Sequence, residues 1–591
     1  MKQFFKMMFA SMVGFTLAGV LLILFFTFFV VAVIGNFANS TKETFVEKPN
    51  SVLSLDLSYD IPERTPNHTF NGFDLSALSG DKTIGLNDIL ADIQKAKTDN
   101  NIKGIFLDFD ICPSGISTVK AIRDALIDFK KSGKFVDAYA VAYTQKAYYL
   151  SSVANKVFLN PMGAVEFKGL GVQIMFFKDL LEKLGIETQV FYDGKYKTAT
   201  EPFRRDNMSD ENKVMTMNML DDLQKTIFGA IADSRHISYD SLVTISDNLL
   251  IRNASTARQY RFVDGLSYYD QFLDELRSRL NIGKRDKIEF VSLDKYNDVP
   301  VKNFTISEDK IAVVYAQGDI VDGKGNNDEI GGDRFAQTLR ELRNNDAVKA
   351  VVLRINSPGG SGLASDVIWR EVGLLKAKKP VIVSMGDYAA SGGYYISCNA
   401  TKIVAEPTTL TGSIGVFGIL PNLKKLWNDK LSITFDGVGT GKFSDFGDIN
   451  RPLNDEEKLV IQNEIDSFYH TFKLRVADGR HINIDTVQSI AQGRVWIGDQ
   501  AVKLGLVDTI GNLATAIKLA AQAAHISTYE LQAYPKEKSK LEELFKMFDD
   551  DSKAAEVKNV LGSASVYFDQ IKSLQKMNGI QARLPEVIDV H

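Results

Sequence analysis

The sequence predicts an α/β protein made of two tandem copies of one fold, preceded by a transmembrane helix. Three observations support this prediction: a long apolar segment near the N-terminus, an internal repeat, and an alternation of strand and helix patterns within each repeat. The 591 residues are 45% hydrophobic and 24% charged, which is ordinary for folded proteins and excludes wholesale disorder. The formal net charge of -5 argues against an electrostatic nucleic-acid binder.

The N-terminal segment has the length and composition of a membrane anchor. Residues 7–41 contain no ionisable side chain, and residues 7–35 are almost all apolar. A helix over 7–35 would exceed the ~30 Å hydrocarbon core of a bilayer, and the run is longer than the ~7–15 apolar residues of a cleavable signal peptide. Lys2 and Lys6 precede it, and cytoplasmic flanks favour lysine. We therefore expect an uncleaved, single-pass anchor with the N-terminus inside and the remaining chain outside.

The remaining chain is an internal duplication. Residues 232–240 (ADSRHISYD) recur as 477–485 (ADGRHINID), an offset of 245. Four further matches follow in the same order at nearly the same offset: 102–104 with 348–350, 160–161 with 406–407, 194–196 with 441–443, and 263–264 with 507–508. A repeat of this length is a whole domain rather than a solenoid unit. The predicted domains are residues 1–41 (anchor), 42–295, and 296–591 with a helical tail.

Short β-branched runs and helical spacing alternate in the second half. Strands are predicted over 311–315, 350–355, 381–384 and 402–405, and helices over 335–343 and 365–377. This alternation is typical of largely parallel sheets. A polar linker is predicted around 294–308. The tail after Gln532 has a helical pattern, with one apolar face formed by Leu541, Leu544, Phe545 and Phe548.

Two turns of the second half carry the candidate chemistry. One strand runs into 356–362 (NSPGGSG), and the next leads to 386–395 (GDYAASGGYY), which contains Ser391. A serine on a tight turn at a helix start can expose its hydroxyl beside unpaired backbone amides, which suits a nucleophile next to an oxyanion hole. Taken alone, the position of Ser391 favours a helix N-cap over a nucleophile.

Comparison of the halves favours the catalytic interpretation. The first half has 144–148 (TQKAY) where the second has 390–394 (ASGGY), so it lacks the serine. Conversely, Lys195 corresponds to Lys442, whereas Lys197 corresponds to Ser444. This complementary loss predicts one composite site in which Lys197 activates Ser391. The lysine pKa, ordinarily about 10.4, would have to be lowered by burial. Ser413 could hold the amine by a hydrogen bond, or could be a plain turn residue.

Other site types lack support in the sequence. A catalytic histidine should occur in one half only, but His236 and His481 occupy matching positions, which favours a shared structural role in a turn before the next helix. There is no Gly-x-Ser-x-Gly elbow, no metalloprotease His-Glu-x-x-His motif and no nucleotide-binding loop. Cys112 and Cys398 are expected to be free, buried thiols.

Four segments together resemble the signal peptide peptidase A family in its long, duplicated form (protease IV type): 196–203 (YKTATEPF), 356–360 (NSPGG), 387–394 (DYAASGGY) and 409–415 (TLTGSIG). The resemblance implies a ClpP/crotonase-like fold in both halves and a serine endopeptidase without metal or organic cofactor. It implies Ser391 as nucleophile, Lys197 as general base, Ser413 as the lysine-orienting residue, and an oxyanion hole from backbone amides near Gly359, Gly360 and Gly392.

The same resemblance implies partners and a location. The substrates would be signal-peptide remnants in the bilayer, and the assembly would be a homotetramer on the outer face of the cytoplasmic membrane. Two alternatives stay open from the sequence: a crotonase-like acyl-CoA enzyme, which also uses backbone amides against an oxyanion, and a non-catalytic membrane scaffold.

Overall fold

The structure is a computed structural model that describes residues 47–66, 83–299, 307–536 and 579–584, together with scattered residues between 3 and 25. Within this described part, no helix is both long enough and apolar enough to cross a membrane. Much of the predicted anchor over 7–35 lies outside the described residues, and so does the predicted apolar face at 541–548.

The strands of the described residues form three sheets and are numbered here in chain order. They are β1 (Ser51–Leu55), β2 (Ile102–Asp108), β3 (Phe135–Ala140), β4 (Lys156–Leu159), β5 (Glu187–Asp193), β6 (Gly265–Leu266), β7 (Phe290–Ser292), β8 (Lys310–Gln317), β9 (Ile320–Val321), β10 (Ile330–Gly331), β11 (Val348–Ser357), β12 (Gly359–Ser361), β13 (Val381–Ala390), β14 (Lys402–Ala405), β15 (Leu410–Gly412), β16 (Val416–Asn422), β17 (Val495–Ile497), β18 (Thr509–Ile510), β19 (Glu530–Tyr534) and β20 (Gln581–Arg583).

The α-helices from residue 47 onward are numbered in the same way. They are α1 (Leu86–Thr98), α2 (Ile116–Lys130), α3 (Gln145–Ser151), α4 (Lys178–Lys183), α5 (Glu201–Arg204), α6 (Asp210–Arg235), α7 (Tyr239–Asp247), α8 (Ala254–Gln259), α9 (Tyr269–Leu280), α10 (Leu293–Asn297), α11 (Gly332–Asn344), α12 (Gly362–Lys376), α13 (Gly392–Ser397), α14 (Asp455–Arg480), α15 (Ile484–Ile490), α16 (Gly498–Lys503) and α17 (Leu513–Ala523). A 3₁₀ turn (Thr198–Thr200) and a π turn (Leu426–Lys430) complete the set.

A parallel sheet of six strands in the first half recurs, in the same strand order, within the eight-stranded sheet of the second half, so the predicted α/β class and duplication are confirmed. In the first half the order is β6-β4-β3-β2-β1-β7. In the second half β18, β14, β13, β11, β8 and β19 pair in the equivalent succession, again all parallel. Their central strands are mostly buried on both faces, as parallel sheets covered by helices require. Each half has its own apolar core.

The repeated histidines terminate equivalent helices, which confirms their predicted structural role. Helices α6 and α14 are both 26 residues long and end at His236 and His481. Both histidines adopt the left-handed conformation, with φ of 53° and 55°, and their backbone N–H groups donate to the carbonyls of Ala232 and Ala477. This is a C-terminal cap that reverses the chain before the next helix.

A third sheet joins the two halves. Its order is β10-β9-β12-β20-β16-β5, and β5 is the one strand that the described residues of the first half contribute to it. β5 pairs antiparallel with β16 over seven residue pairs, from Asp193 opposite Val416 to Glu187 opposite Asn422. The residues that follow β5 in the chain therefore lie beside the core of the second half.

Helix α2 makes a second connection between the halves. The carboxylate of Asp387, in the second half of β13, accepts hydrogen bonds from the backbone N–H groups of Ser117 (2.7 Å) and Thr118 (3.1 Å) and from the Thr118 hydroxyl (2.5 Å). An acidic group at a helix N-terminus satisfies unpaired amides and interacts favourably with the helix dipole. The closeness requires Gly115, where a Cβ would lie 2.2 Å from the Asp387 carboxyl carbon.

Three segments differ from the sequence-based expectations. The predicted linker at 294–308 begins inside α10, because Leu293 and Tyr296 of this helix, and Val299 just after it, are buried in the first core. Strand β13 continues to Ala390 instead of ending at Ser384, because β15 pairs with its last three residues. The described end of the predicted helical tail is strand β20, which pairs with β12. The domain boundaries at 41/42 and 295/296 stay a prediction.

A buried ion pair across the halves is expected to stabilise the fold. Arg354 Nε donates to Glu63 Oε2 at 2.7 Å and Nη2 donates to Oε1 at 3.2 Å, and both side chains are almost fully buried. Glu63→Gln leaves the guanidinium charge buried without its partner, so we expect a loss of about 3–5 kcal/mol in the free energy of unfolding. Urea titration followed by circular dichroism measures this. The control Glu289→Gln removes the exposed pair with Lys48 and should cost less than about 1 kcal/mol. Equal losses would contradict the prediction.

Candidate active site

Lys197 lies at the junction between the halves. It follows β5 by four residues, and the backbone of this stretch is held by the second half: the Tyr196 N–H donates to the Gln492 carbonyl at 2.8 Å. The chain passes so close to Gly493 that a Cβ there would lie 2.6 Å from Lys197 Cα. Gly493 also has a φ of 79°, which favours glycine. Lys197 is buried, with 1% of its surface exposed.

Ser391 directly follows β13 and precedes α13. Its φ of 53° and ψ of -112° are unusual for a residue with a side chain, and such strain, of about 1–3 kcal/mol, is concentrated at functional sites. The Ser391 N–H donates to the Gly412 carbonyl at 2.8 Å, which ties the turn to β15. The residue is fully buried, and its side chain does not cap α13. The simple N-cap interpretation therefore does not hold.

The structure brings Lys197, Ser391 and Ser413 together. Lys197 Nζ lies 2.8 Å from Ser391 Oγ, 3.1 Å from Ser413 Oγ and 3.2 Å from the Ser413 carbonyl oxygen. Burial lowers the pKa of Lys197 well below its ordinary value, because the ammonium form loses its hydration and no carboxylate of the described residues offsets that cost. A neutral amine within hydrogen-bond distance of a serine hydroxyl can accept its proton.

Gly359, Gly360 and Gly392, the three glycines named from the sequence, lie around the carbonyl oxygen of Ala582 in β20. A Cβ on Gly359 would lie 2.1 Å from the Ala582 oxygen, and one on Gly392 would lie 3.0 Å from it. Gly360 is the ladder partner of Ala582. The Gly359 N–H already donates to Ser357 Oγ at 3.2 Å, which leaves Gly360 and Gly392 as the closer candidates for binding an oxyanion.

In the first half, the turn equivalent to residues 358–360 is held by hydrogen bonds from a lysine. Where the second half has Pro358-Gly359-Gly360, the first has Pro113, Ser114 and Gly115. Lys146 Nζ, from the segment equivalent to the Ser391 turn, donates to the carbonyls of Pro113 (3.1 Å) and Ser114 (3.3 Å). Lys146 thus fixes this turn of the first half, whereas the equivalent segment of the second half forms the glycine-rich strand β12.

Other predicted features lie apart from this cluster. Both cysteines are free and buried, as expected. In the part of the chain with described coordinates, no group of three or more His, Cys, Asp or Glu side chains is placed to hold a metal ion. Sequence reasoning missed Gly493 and strand β20. A glycine in the turn that faces the lysine could have indicated the first, whereas β20 carries no strong strand pattern.

Comparisons with known proteins give a consistent result. The sequence pattern of Peptidase family S49 matches residues 128–283 and 373–527, once in each half. Protease 4 of Salmonella typhi is 36% identical over 523 residues, covering 86% of this chain and 83% of that protein. The chloroplastic serine protease SPPA of Arabidopsis thaliana is 34% identical over 488 residues, covering 81% and 70% respectively. A ClpP1 mutant structure from Listeria monocytogenes is only weakly similar, with a TM-score of 0.24 and 15% identity over 35% of this chain and 94% of that one.

Proposed function

The chain belongs to peptidase family S49 and is a serine protease, and we propose that Ser391 and Lys197 form its catalytic dyad. The observation that carries this proposal is the 2.8 Å distance between Lys197 Nζ and Ser391 Oγ in a fully buried site. Each half supplies one member, so neither half is expected to be active alone. Membership in a peptidase family sets aside the acyl-CoA and scaffold alternatives.

The proposed mechanism is acyl transfer through a covalent intermediate. The neutral Lys197 amine takes the hydroxyl proton while Ser391 Oγ attacks the peptide carbonyl carbon. The resulting ammonium returns that proton to the leaving amine, and water then hydrolyses the ester by the same proton transfers. The N–H groups of Gly360 and Gly392 would stabilise the negative charge that develops on the carbonyl oxygen. Ser413 would hold the lysine amine toward Ser391.

The substrate and location are part of the same proposal. We propose that the enzyme degrades cleaved signal peptides, on the resemblance of its motifs to signal peptide peptidase A. A single-pass anchor over residues 7–35 would place the two halves on the outer face of the cytoplasmic membrane, beside such peptides. The ClpP/crotonase-like fold type and the homotetramer are proposed on the same resemblance.

A serine-reactive probe tests the dyad. A fluorophosphonate should label the native protein once, and peptide mapping by mass spectrometry should locate the adduct on Ser391. Labelling should be lost in Ser391→Ala and strongly slowed in Lys197→Ala. An adduct on another serine, or equal labelling of the Lys197 variant, would refute the proposed dyad.

Removal of the Ser413 hydroxyl is expected to reduce activity without abolishing it. Ser413→Ala loses one hydrogen bond to the Lys197 amine, worth about 1.5–3 kcal/mol if charge-assisted, so kcat/KM should fall about 10- to 100-fold. Ser413 has a φ of 49°, so Ser413→Gly removes the hydroxyl and also relieves backbone strain. Comparison of the alanine and glycine variants therefore separates the loss of the hydrogen bond from the effect of strain. A positioning role predicts a shifted pH–rate midpoint with KM nearly unchanged. Full activity of both variants would contradict it.

A further inference from the structure

The composite site depends on how the two halves are positioned against each other. Lys197 belongs to the first half and Ser391 to the second, and their reacting atoms lie 2.8 Å apart. Proton transfer requires a hydrogen-bond distance of about 2.6–3.2 Å, and a misplacement of about 1 Å can reduce a rate about 100-fold. A contact that fixes the position of Ser391 relative to the first half therefore bears directly on the reaction.

Asp387 makes such a contact, four residues before Ser391 in the chain. Strand β13 contains Asp387 and ends at Ala390, directly before Ser391. The last three residues of β13 pair with β15, and the Ser391 N–H donates to the Gly412 carbonyl of β15, so this end of the strand is held as one unit. A displacement of Asp387 is therefore passed on to Ser391.

The carboxylate of Asp387 is buried and is bound by the first half. The residue is 8% exposed, and its hydrogen bonds from Ser117 and Thr118 both come from α2. Desolvating a carboxylate is costly unless hydrogen bonds replace its water, so these bonds favour the observed arrangement of the halves. A further bond of 2.8 Å joins the hydroxyls of Ser117 and Thr408, and Thr408 lies just before β15. Helix α2 thus contacts β13 and the segment that leads into β15.

The contact leaves no room for a side chain at the start of α2. Gly115 precedes this helix with a φ of -63° and a ψ of 158°, a conformation that any residue can adopt. A Cβ at this position would nevertheless lie 2.2 Å from the carboxyl carbon of Asp387 and 2.3 Å from its Oδ1. Glycine is therefore required by the approach of Asp387 and not by the backbone conformation. Gly115→Ala consequently displaces Asp387 without removing a hydrogen-bonding group.

We propose that Asp387 is a positioning residue: by fixing the end of β13 to helix α2, it holds Ser391 within proton-transfer distance of Lys197. This inference rests on the proposed function, because it concerns the same dyad. When the contact is loosened, Ser391 moves away from the amine and water reaches Lys197. The first change lowers kcat more than it raises KM, and the second raises the pKa of Lys197 toward its ordinary value of about 10.4. A residue that only stabilised the fold would leave that pKa unchanged.

Gly115→Ala tests this role from the first half, at a residue outside the dyad. We expect kcat for a fluorogenic hydrophobic peptide to fall about 10- to 100-fold, with KM changed less than about threefold. The acid limb of the pH–rate profile should shift to higher pH. The matched control Gly229→Ala is the same substitution on α6, where a Cβ has no contact within 4 Å among the described residues, and it should keep the native kcat and pH profile. A native kcat and pH profile in Gly115→Ala would overturn the proposal.

Substitutions of Asp387 itself provide a second test. Asp387→Ala removes the acceptor of the hydrogen bonds from α2, so its kcat and pH profile should change at least as much as those of Gly115→Ala. Asp387→Asn keeps an oxygen for the N–H groups of Ser117 and Thr118 and should restore most of kcat. Thermal unfolding of each variant, with rates measured well below the melting temperature, ensures that folded chains are compared. A lower melting temperature of Asp387→Ala with a native kcat and pH profile would assign a structural role only and overturn the proposal.

Other charged groups surround this contact. The charges of the buried pair Glu63 and Arg354 act on Asp387, and Glu406 Oε2 lies 3.7 Å from Lys120 Nζ of α2. Burial raises the pKa of Glu406 to about 7, so this carboxyl titrates within the pH range of an activity profile. The effect of Lys197 is therefore isolated by comparing chains that share all of these groups.

A measurement without catalysis separates this inference from the proposed function. In chains that carry Ser391→Ala, the gain in melting temperature from Lys197→Met should be larger at pH 6 than at pH 10, because methionine binds no proton. Gly115→Ala should reduce this difference, since a hydrated lysine has a pKa closer to its ordinary value. An unchanged difference would overturn the proposal. If no chain cleaves a peptide while the difference still shrinks, the proposed function fails and the positioning of β13 by Asp387 stands.

Discussion

Replacing Ser391 by alanine is expected to lower kcat/KM for peptide cleavage by at least about 10⁴-fold, because the variant has no oxygen to form the acyl intermediate. The residual rate would come from binding and oxyanion stabilisation alone. Folding should be unaffected, since alanine removes a single buried oxygen and both residues share the same strain at a φ of 53°. Initial rates on a fluorogenic hydrophobic peptide, together with thermal unfolding, measure both quantities.

A matched control is available on α13, the short helix that follows Ser391. Ser397 is also fully buried, and its hydroxyl donates to the Gly393 carbonyl at 2.6 Å without contacting Lys197. Ser397→Ala should therefore change stability slightly and leave kcat/KM within a few-fold of the native value. Comparable activity losses in the two serine variants would indicate that the turn, rather than the Ser391 hydroxyl, is required.

Much of the architecture was predictable because the duplication allows the two copies to be compared with each other within one sequence. The offset of 245 between the ADSRHISYD and ADGRHINID segments predicted two copies of one strand order, and His236 and His481 cap equivalent helices. Differences between the copies then predicted that Ser391 and Lys197 belong to the site. The distance between Lys197 and Ser391 matches what that comparison suggested, although their catalytic roles stay a proposal.

The remaining features depend on pairings between segments distant in the chain. Nothing in residues 187–193 indicates that β5 joins a sheet of the other half, because its partner β16 begins more than 220 residues later. The Gly359 amide was expected to be open, but the neighbouring Ser357 hydroxyl accepts its hydrogen bond. Strand β20 has only three paired residues, and its pairing with the edges of β12 and β16 stabilises it. Local periodicity carries no signal for such additions.

Replacing Lys197 by alanine is expected to reduce kcat/KM by at least about 10³-fold. Among the described residues, the other acceptor at the Ser391 hydroxyl is the Gly415 carbonyl oxygen at 3.4 Å, which is far less basic than a neutral amine. The control Lys195→Ala, two residues earlier on the exposed surface, should retain nearly full activity. Lys197→Arg should also be inactive, because arginine stays protonated and cannot act as a base. Activity in the arginine variant would contradict a general-base role and indicate that positive charge alone is needed.

The pH dependence follows from the same lysine. Burial lowers the pKa of Lys197, so the native enzyme should lose activity as the pH falls through that lowered value and the amine becomes an ammonium ion. The unfolded chain binds this proton more readily than the folded chain, so the lysine makes folding less favourable as the pH falls from about 10.4, the ordinary lysine pKa, toward the lowered value. Lys197→Met removes this dependence while keeping an apolar side chain of similar length.

We therefore expect Lys197→Met to be inactive and yet more stable than the native protein, with a gain in melting temperature that is larger at pH 6 than at pH 10. Differential scanning calorimetry at both pH values, on chains that also carry Ser391→Ala, isolates the lysine from any self-cleavage. A gain that is equal at the two pH values would mean that the lysine binds its proton equally in both states. The 2.8 Å contact with Ser391 Oγ would then join an ammonium ion to a serine, and Lys197 could not start the reaction as a base.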